Sequence, residues 1–160
     1  MSQWQWIQLG GFNIFWIISV IGQNDFILFQ LICLVLFFIY TPNRAKNFIL
    51  LPLALIGILV DVLLIKSGVF IFEVFPIWLL LLWVGFVVTL NHGFFWLTAL
   101  QYPIIALIGA IAGPLSYLSG YYLGAVSLAY SELISFLILA PIWFFLLPLL
   151  VYLSRKFNNG

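Results

Sequence analysis

Charge is what this sequence has least of: five Lys or Arg and four Asp or Glu stand among 160 residues. A soluble domain is about 25% charged and about 45–50% apolar, whereas this chain is 6% charged and 66% hydrophobic. So little polar surface cannot cover a water-exposed globule, and so apolar a chain is not a disordered tail. The basic stripe of a nucleic-acid binder is missing too. Cysteine and histidine are almost absent. Cys33 stands alone in an apolar run, which excludes an intramolecular disulfide and reads as a small residue facing lipid or a neighbouring helix. One His and one Cys do not build a zinc or haem site. HExxH, Gly-x-Ser-x-Gly, P-loop and dinucleotide fingerprints are all missing. No cofactor, no metal and no catalytic residue is assigned.

What the chain has instead is long apolar runs. A spanning helix takes roughly 20 residues, so six use roughly 120 and leave about 40 for loops and tails. The expectation is an all-α, polytopic membrane helix bundle, one integral membrane domain over residues 1–160. About six transmembrane helices are placed at residues 7–21, 26–40, 48–66, 77–97, 102–117 and 131–153. No room remains for a soluble catalytic domain. The first run has no preceding Lys or Arg and no small-residue cleavage pattern, so it reads as a retained helix. Gly22 to Asp25 is a polar break, and a shallow hairpin there would reduce the crossings to four. Thr41 to Asn47, with Pro42, Arg44 and Lys46, is a loop. Ser67 to Pro76 is too short to span and reads as interfacial or re-entrant.

With six spans, Arg44, Lys46, Arg155 and Lys156 share one side and Lys66 lies opposite. The positive-inside rule then puts both termini in the cytoplasm, with Trp4, Trp6, Tyr40, Trp96, Tyr102 and Tyr152 near the inner rim and Trp78, Tyr121, Tyr122 and Tyr130 near the outer one. No internal repeat is visible, which weakens an inverted-repeat transporter.

Charge inside hydrocarbon costs about 2.5–3.5 kcal/mol on insertion scales, so each ionisable residue in a span is a functional candidate. Asp61 is the sharpest: it carries the charge either for a binding role or for pairing with Lys66 or a neighbouring Ser or Tyr hydroxyl. Asn91 and His92 lie toward the far end of the fourth span. His92 reads as a proton shuttle or ligand contact, or as a residue hydrogen-bonded between helices. Adjacent helical positions diverge by about 100°, so Asn91 and His92 face different ways. Asp61 and His92 differ in depth by ~15 Å at helical rise and are read as separate sites. The fifth span carries small residues four apart, Gly109 with Gly113, and Ser116 with Gly120 and Gly124, a spacing that lets helix backbones approach. Pro114 frees a carbonyl near Ala110, which a protein interior or wet cavity tolerates. This span is either a kinked packing helix or a ligand-lining one, with Ser116 and Tyr117 near Asp61. Glu132 either joins that cluster or sits as a first-turn acid after a capping Ser131.

At these residues the chain resembles a family of small bacterial inner-membrane proteins of unknown function. The landmarks are the Asp61 helix leading to Gly68-Val-Phe-x-Phe, Pro76-x-Trp78-Leu, Thr89-Leu-x-His92 with Trp96-Leu, and Gly113-Pro-x-Ser-Tyr-x-x-Gly120. The family usually has Ser after the His; this chain has Gly93. The resemblance implies a multi-pass fold and supplies no activity. Its members are often encoded beside lipid-modifying enzymes such as cyclopropane-fatty-acid synthases, which implies a role in membrane lipid modification or stress. Three readings stay open: a lipid-embedded protein that binds or moves a small or lipidic molecule, a non-catalytic accessory subunit of a lipid-modifying enzyme or other membrane protein, and an intramembrane enzyme using Asp61 or His92. The oligomeric state is not readable.

Overall fold

A backbone that meets no water must satisfy its own polar groups, and a helix does so residue by residue. The computed structural model, which describes residues 2–41 and 44–159, follows that rule. Helix α1 is Gln3–Gly22, followed by a 3₁₀ turn at Gln23–Phe26 and α2 at Ile27–Tyr40. Helix α3 is Arg44–Lys66, strand β1 Phe70–Ile71 and α4 Ile77–Thr89. A second 3₁₀ turn at Phe95–Ala99 leads to α5 (Tyr102–Tyr122), strand β2 (Ser127–Leu128) and α6 (Glu132–Asn159). Pro42, expected in the 41–47 loop, lies outside the described residues.

Four apolar segments are long enough to cross a membrane: Gln3–Tyr40, Arg44–Lys66, Tyr102–Tyr122 and Glu132–Phe157. Six full crossings are therefore not found. The first two expected spans form one apolar segment broken at the polar turn, where Gln23 takes φ 46°. The expected span at 77–97 shrinks to 13 residues, which at helical rise covers about 20 Å of a core about 30 Å thick. Asn91, His92 and Gly93 lie in the turn after it, not on a helix. The expected fifth and sixth spans extend instead, to Tyr122 and Asn159.

Contacts set the directions. Asn24 at the α1–α2 turn donates to the Phe75 carbonyl (3.0 Å) and accepts from Trp78 N–H (3.2 Å), supplying the side-chain cap that the start of α4 otherwise lacks. The opposite end of α4 meets Thr41 and Asn47, at the end of α2 and the start of α3. Neighbouring helices thus run in alternating directions. One end of the bundle gathers Arg44, Lys46, Asn91, Ser154 and Arg155; the other gathers Asp25, Lys66, Glu73 and Glu132.

At that second end α3 and α5 stop in the same way. Gly68 and Gly124 both adopt φ +76°. Val69 N–H then reaches back to the Leu64 carbonyl (3.0 Å) and Ala125 N–H to that of Gly120 (2.8 Å). This is the Schellman arrangement, which glycine enters without a Cβ clash. The two reversals launch β1 and β2, which pair antiparallel with Phe70 opposite Leu128 and Ile71 opposite Ser127. Gly124 therefore serves this turn and not a helix interface.

Helix α4 is the buried centre, with Trp78, Leu79, Leu82, Trp83, Val87 and Val88 in the core. Small residues admit large ones around it. A Cβ on Gly57 would lie 2.2 Å from the Trp83 ring, and one on Gly85 2.6 Å from Phe15. Helices α5 and α6 pack along their length, and a Cβ on Gly109 would lie 2.4 Å from the Trp143 carbonyl oxygen. At Gly113 it would meet the Trp143 ring at 2.1 Å, whereas at Gly120 the nearest atom is 3.7 Å away. Helix α5 runs through buried Pro114 without interruption.

These distances separate two glycines of one stripe. Gly109→Ala drives a methyl into backbone and should cost about 1–3 kcal/mol. Gly120→Ala only makes an ordinary van der Waals contact with Val126 and should be neutral or stabilising by up to about 1 kcal/mol, through helix propensity. Unfolding of the two variants in mixed micelles checks the order.

Candidate functional site

Asp61 lies on α3 with 1% of its surface exposed. An isolated carboxylate there would be very costly, so donors must come from other helices. Trp83 Nε1–H of α4 donates to Oδ2 at 2.5 Å and the Tyr117 hydroxyl of α5 to Oδ1 at 2.6 Å. Each donor is held in turn. Trp83 occupies the gap left by Gly57 and stacks on Trp143 of α6, 5.7 Å between centroids and 13° between planes. Tyr117 stacks on Phe70 of β1 at 4.8 Å and 22°. Of the pairings open to Asp61, the structure shows the neighbouring Tyr hydroxyl, Tyr117, and adds the Trp83 indole in place of Lys66.

Trp83 and Tyr117 also face a cavity of about 430 Å³ between α1, α4 and α5. Helix α1 contributes Phe12, Trp16 and Val20, one stripe at four-residue spacing. Helix α5 contributes Gly109, Gly113, Ser116, Tyr117 and Gly120, and Trp78 and Phe86 of α4 form the back. Asn13 and Ala112 border it as well, and both are exposed in mid-helix, so the cavity opens sideways between α1 and α5. Polar side-chain groups are few among its lining residues: the Tyr117 and Ser116 hydroxyls, the Asn13 amide and the indole N–H groups of the tryptophans, of which Trp143 Nε1 is buried without a hydrogen-bond partner.

Ser116 thus lines the cavity without bonding Asp61. Glu132 stays apart from both: it accepts from the Tyr122 hydroxyl at the bundle's end. It follows Ser131, whose side chain accepts from Ile134 N–H at 3.4 Å. That is the first-turn acid after a helix cap.

His92 belongs to a second cluster. Its Nε2 lies 3.0 Å from Asn47 Oδ1 and 3.1 Å from Thr41 Oγ1, while Asn47 Nδ2 donates to Thr41 at 2.9 Å. The amide oxygen only accepts, so this arrangement puts the imidazole proton on Nε2. The three buried side chains tie α2, α3 and the turn after α4 together. Burial holds the His92 imidazole below its ordinary pKa. Asn91 points elsewhere: it donates to the Lys46 carbonyl (3.5 Å) and accepts from Ser154 (3.3 Å). Asp61 and His92 share no partner.

Sequence reading missed Trp83, Trp143, Asn13, Thr41 and Asn47. Thr41 and Asn47 fell in the expected 41–47 loop, although Asn47 stands in the first turn of α3, and Trp83 and Trp143 lie in apolar runs with no polar neighbour to mark them. Asn13 was legible, as the one Asn inside the first apolar run. Among the described residues no three of His, Cys, Asp and Glu group as a metal site.

A family model described as "Protein of unknown function (DUF2878)" matches residues 5–149. No curated protein and no solved structure matches the chain.

Two measurements follow from the clusters. Replacing Asp61 by Ala strands the Trp83 and Tyr117 donors, at about 1–3 kcal/mol each, and should lower the unfolding midpoint markedly. The unfolded chain binds a proton at His92 more readily than the folded one. Stability from this group is therefore full above about pH 6.5 and is lost as pH falls from there toward the folded value, by at most about 1.4 kcal/mol per pH unit. His92→Gln should remove that slope in thermal melts between pH 7.5 and 5.5.

Proposed function

The chain belongs to the DUF2878 family of proteins of unknown function, and from that premise we propose that it binds or moves a small or lipidic molecule within a bacterial inner membrane. The cavity between α1, α4 and α5 carries the reading. Its volume of about 430 Å³ falls in the range of about 300–1,000 Å³ typical of ligand sites. Its walls are aromatic and aliphatic, with a few polar groups, of which the Tyr117 hydroxyl bonds Asp61. Its mouth lies in mid-helix, at hydrocarbon depth for helices that span. By the positive-inside rule we read the end holding Arg44, Lys46, Arg155 and Lys156 as cytoplasmic, a reading under which both termini lie on that side.

A second reading, the accessory subunit, draws on that same end. All four bases lie there, while Asp25, Asp61, Glu73 and Glu132 lie elsewhere in the chain. An acidic face of a lipid-modifying enzyme is the partner such a rim suits. The enzyme reading draws no support, because Asp61 and His92 keep separate partners.

A photoactivatable alkyl chain tests the first reading. It should label α1 and α5 wall residues, and Ala112→Trp should cut that labelling at least tenfold while leaving the melting temperature unchanged. Labelling spread over the lipid-facing surface and indifferent to Ala112→Trp would overturn it. Copurification of a second protein in mild detergent, lost when Arg44 and Lys46 become Gln, would favour the accessory role.

A further inference from the structure

Asp61 has an unusual electrostatic position. Its hydrogen-bond partners are Trp83 and Tyr117, neither of which carries a positive charge. Lys66 is exposed at the end of α3, and no Lys, Arg or His lines the cavity. The bonding pattern suits an ionised carboxylate. An indole N–H only donates, so Oδ2 accepts, and the Tyr117 hydroxyl donates to Oδ1. Among the described residues, no cation bonds the Asp61 carboxylate.

The two donors are also cavity wall. A ring that donates its N–H or O–H to an anion becomes richer in electrons, because hydrogen bonds in series polarise one another. Trp83 keeps its faces against Gly57 and Trp143, and Tyr117 one face against Phe70, so the Asp61 charge reaches the cavity through these apolar rings, where little water screens it. Trp16, Trp78, Phe86 and Trp143 add further aromatic surface around the same space. Aromatic walls attract cations through their negative faces, most strongly where water is excluded, and alkylated ammonium groups are the ligands that such cages recognise.

We infer, building on the cavity reading above, that the occupant is an amphiphile with an alkylated ammonium head, seated among these rings in front of Asp61. A small inorganic cation fits less well. It would have to exchange its hydration shell for the few oxygens that Ser116, Tyr117 and Asn13 provide. An alkylated ammonium holds little water and presents methyl groups to the rings. Its hydrocarbon tail would leave through the mouth between α1 and α5.

The test compares two probes on the whole protein in maltoside micelles. One is a diazirine-bearing twelve-carbon chain ending in trimethylammonium. The other is its isostere with carbon in place of nitrogen. Labelling of the α1 and α5 walls is read by peptide mass spectrometry and normalised to labelling of the outer face of α2, which corrects for partition into the micelle. The cationic probe should label the walls at least tenfold more than its isostere, and Asp61→Asn should bring the two within twofold. Equal wall labelling by both probes overturns the ammonium inference and leaves the cavity reading standing. No wall labelling by either overturns both. A tenfold preference that persists in folded Asp61→Asn overturns the part assigned to Asp61. The wild-type comparison decides the head-group question without any variant.

Discussion

The bonds between Asp61 and its two donors are the constraint on which the centre of this bundle depends. Lipid offers a carboxylate no hydrogen bonds, so α3 can insert in this form only if neighbouring helices bring donors to it. Trp83 and Tyr117 do so from α4 and α5, and the rotation of three helices is set about one side chain. Each donor carries its own condition. Trp83 fits because residue 57 is glycine and because Trp143 lies flat against it. Trp143 fits because residue 113 is glycine. Tyr117 is held from above by Phe70, and so by the pairing of two short strands. A polar residue that is expensive in hydrocarbon thereby specifies the packing of a largely apolar interior.

Much of the fold was legible because its signals are local. Apolar runs mark helices; Gly124, read with the packing stripe of the fifth span, ends α5 instead. The length of α4 was not legible. Residues 77–97 are apolar enough for a full span, yet Leu90 to Phe94 leave the helix. His92 meets Thr41 and Asn47 there, and a Cβ on Gly93 would lie 2.7 Å from the Leu9 backbone. Those are tertiary contacts, which outweigh helix propensity at the end of a short helix and leave no periodic trace. The α1–α2 reversal was half legible: Gly22 to Asp25 announces a break, but the positive φ at Gln23 does not follow from its residue type.

The site divides along the same line. Asp61 stands out in any reading because a charged residue in an apolar helix is rare and costly. Tyr117 was within reach because it shares a depth with Asp61 on a helix marked as central. Trp83 was not, since an indole N–H on an apolar helix has no signature until its acceptor is placed in space. Glu132 was open between joining Asp61 and standing as a first-turn acid, and helix-end electrostatics and the neighbouring Tyr122 keep it at the rim.

The mid-helix mouth between Asn13 and Ala112 has a thermodynamic consequence. A site entered from the side meets its ligand at the ligand's concentration in the bilayer, not in water. Partition concentrates an amphiphile by about 0.8 kcal/mol for each buried CH₂, before the protein makes any contact. The walls therefore need only distinguish one membrane-dissolved molecule from its neighbours, and modest contacts suffice for occupancy. For the same reason occupancy follows the composition of the surrounding membrane. On the proposed function, the lipid bilayer is both the solvent of this protein and the reservoir of the molecule its cavity takes.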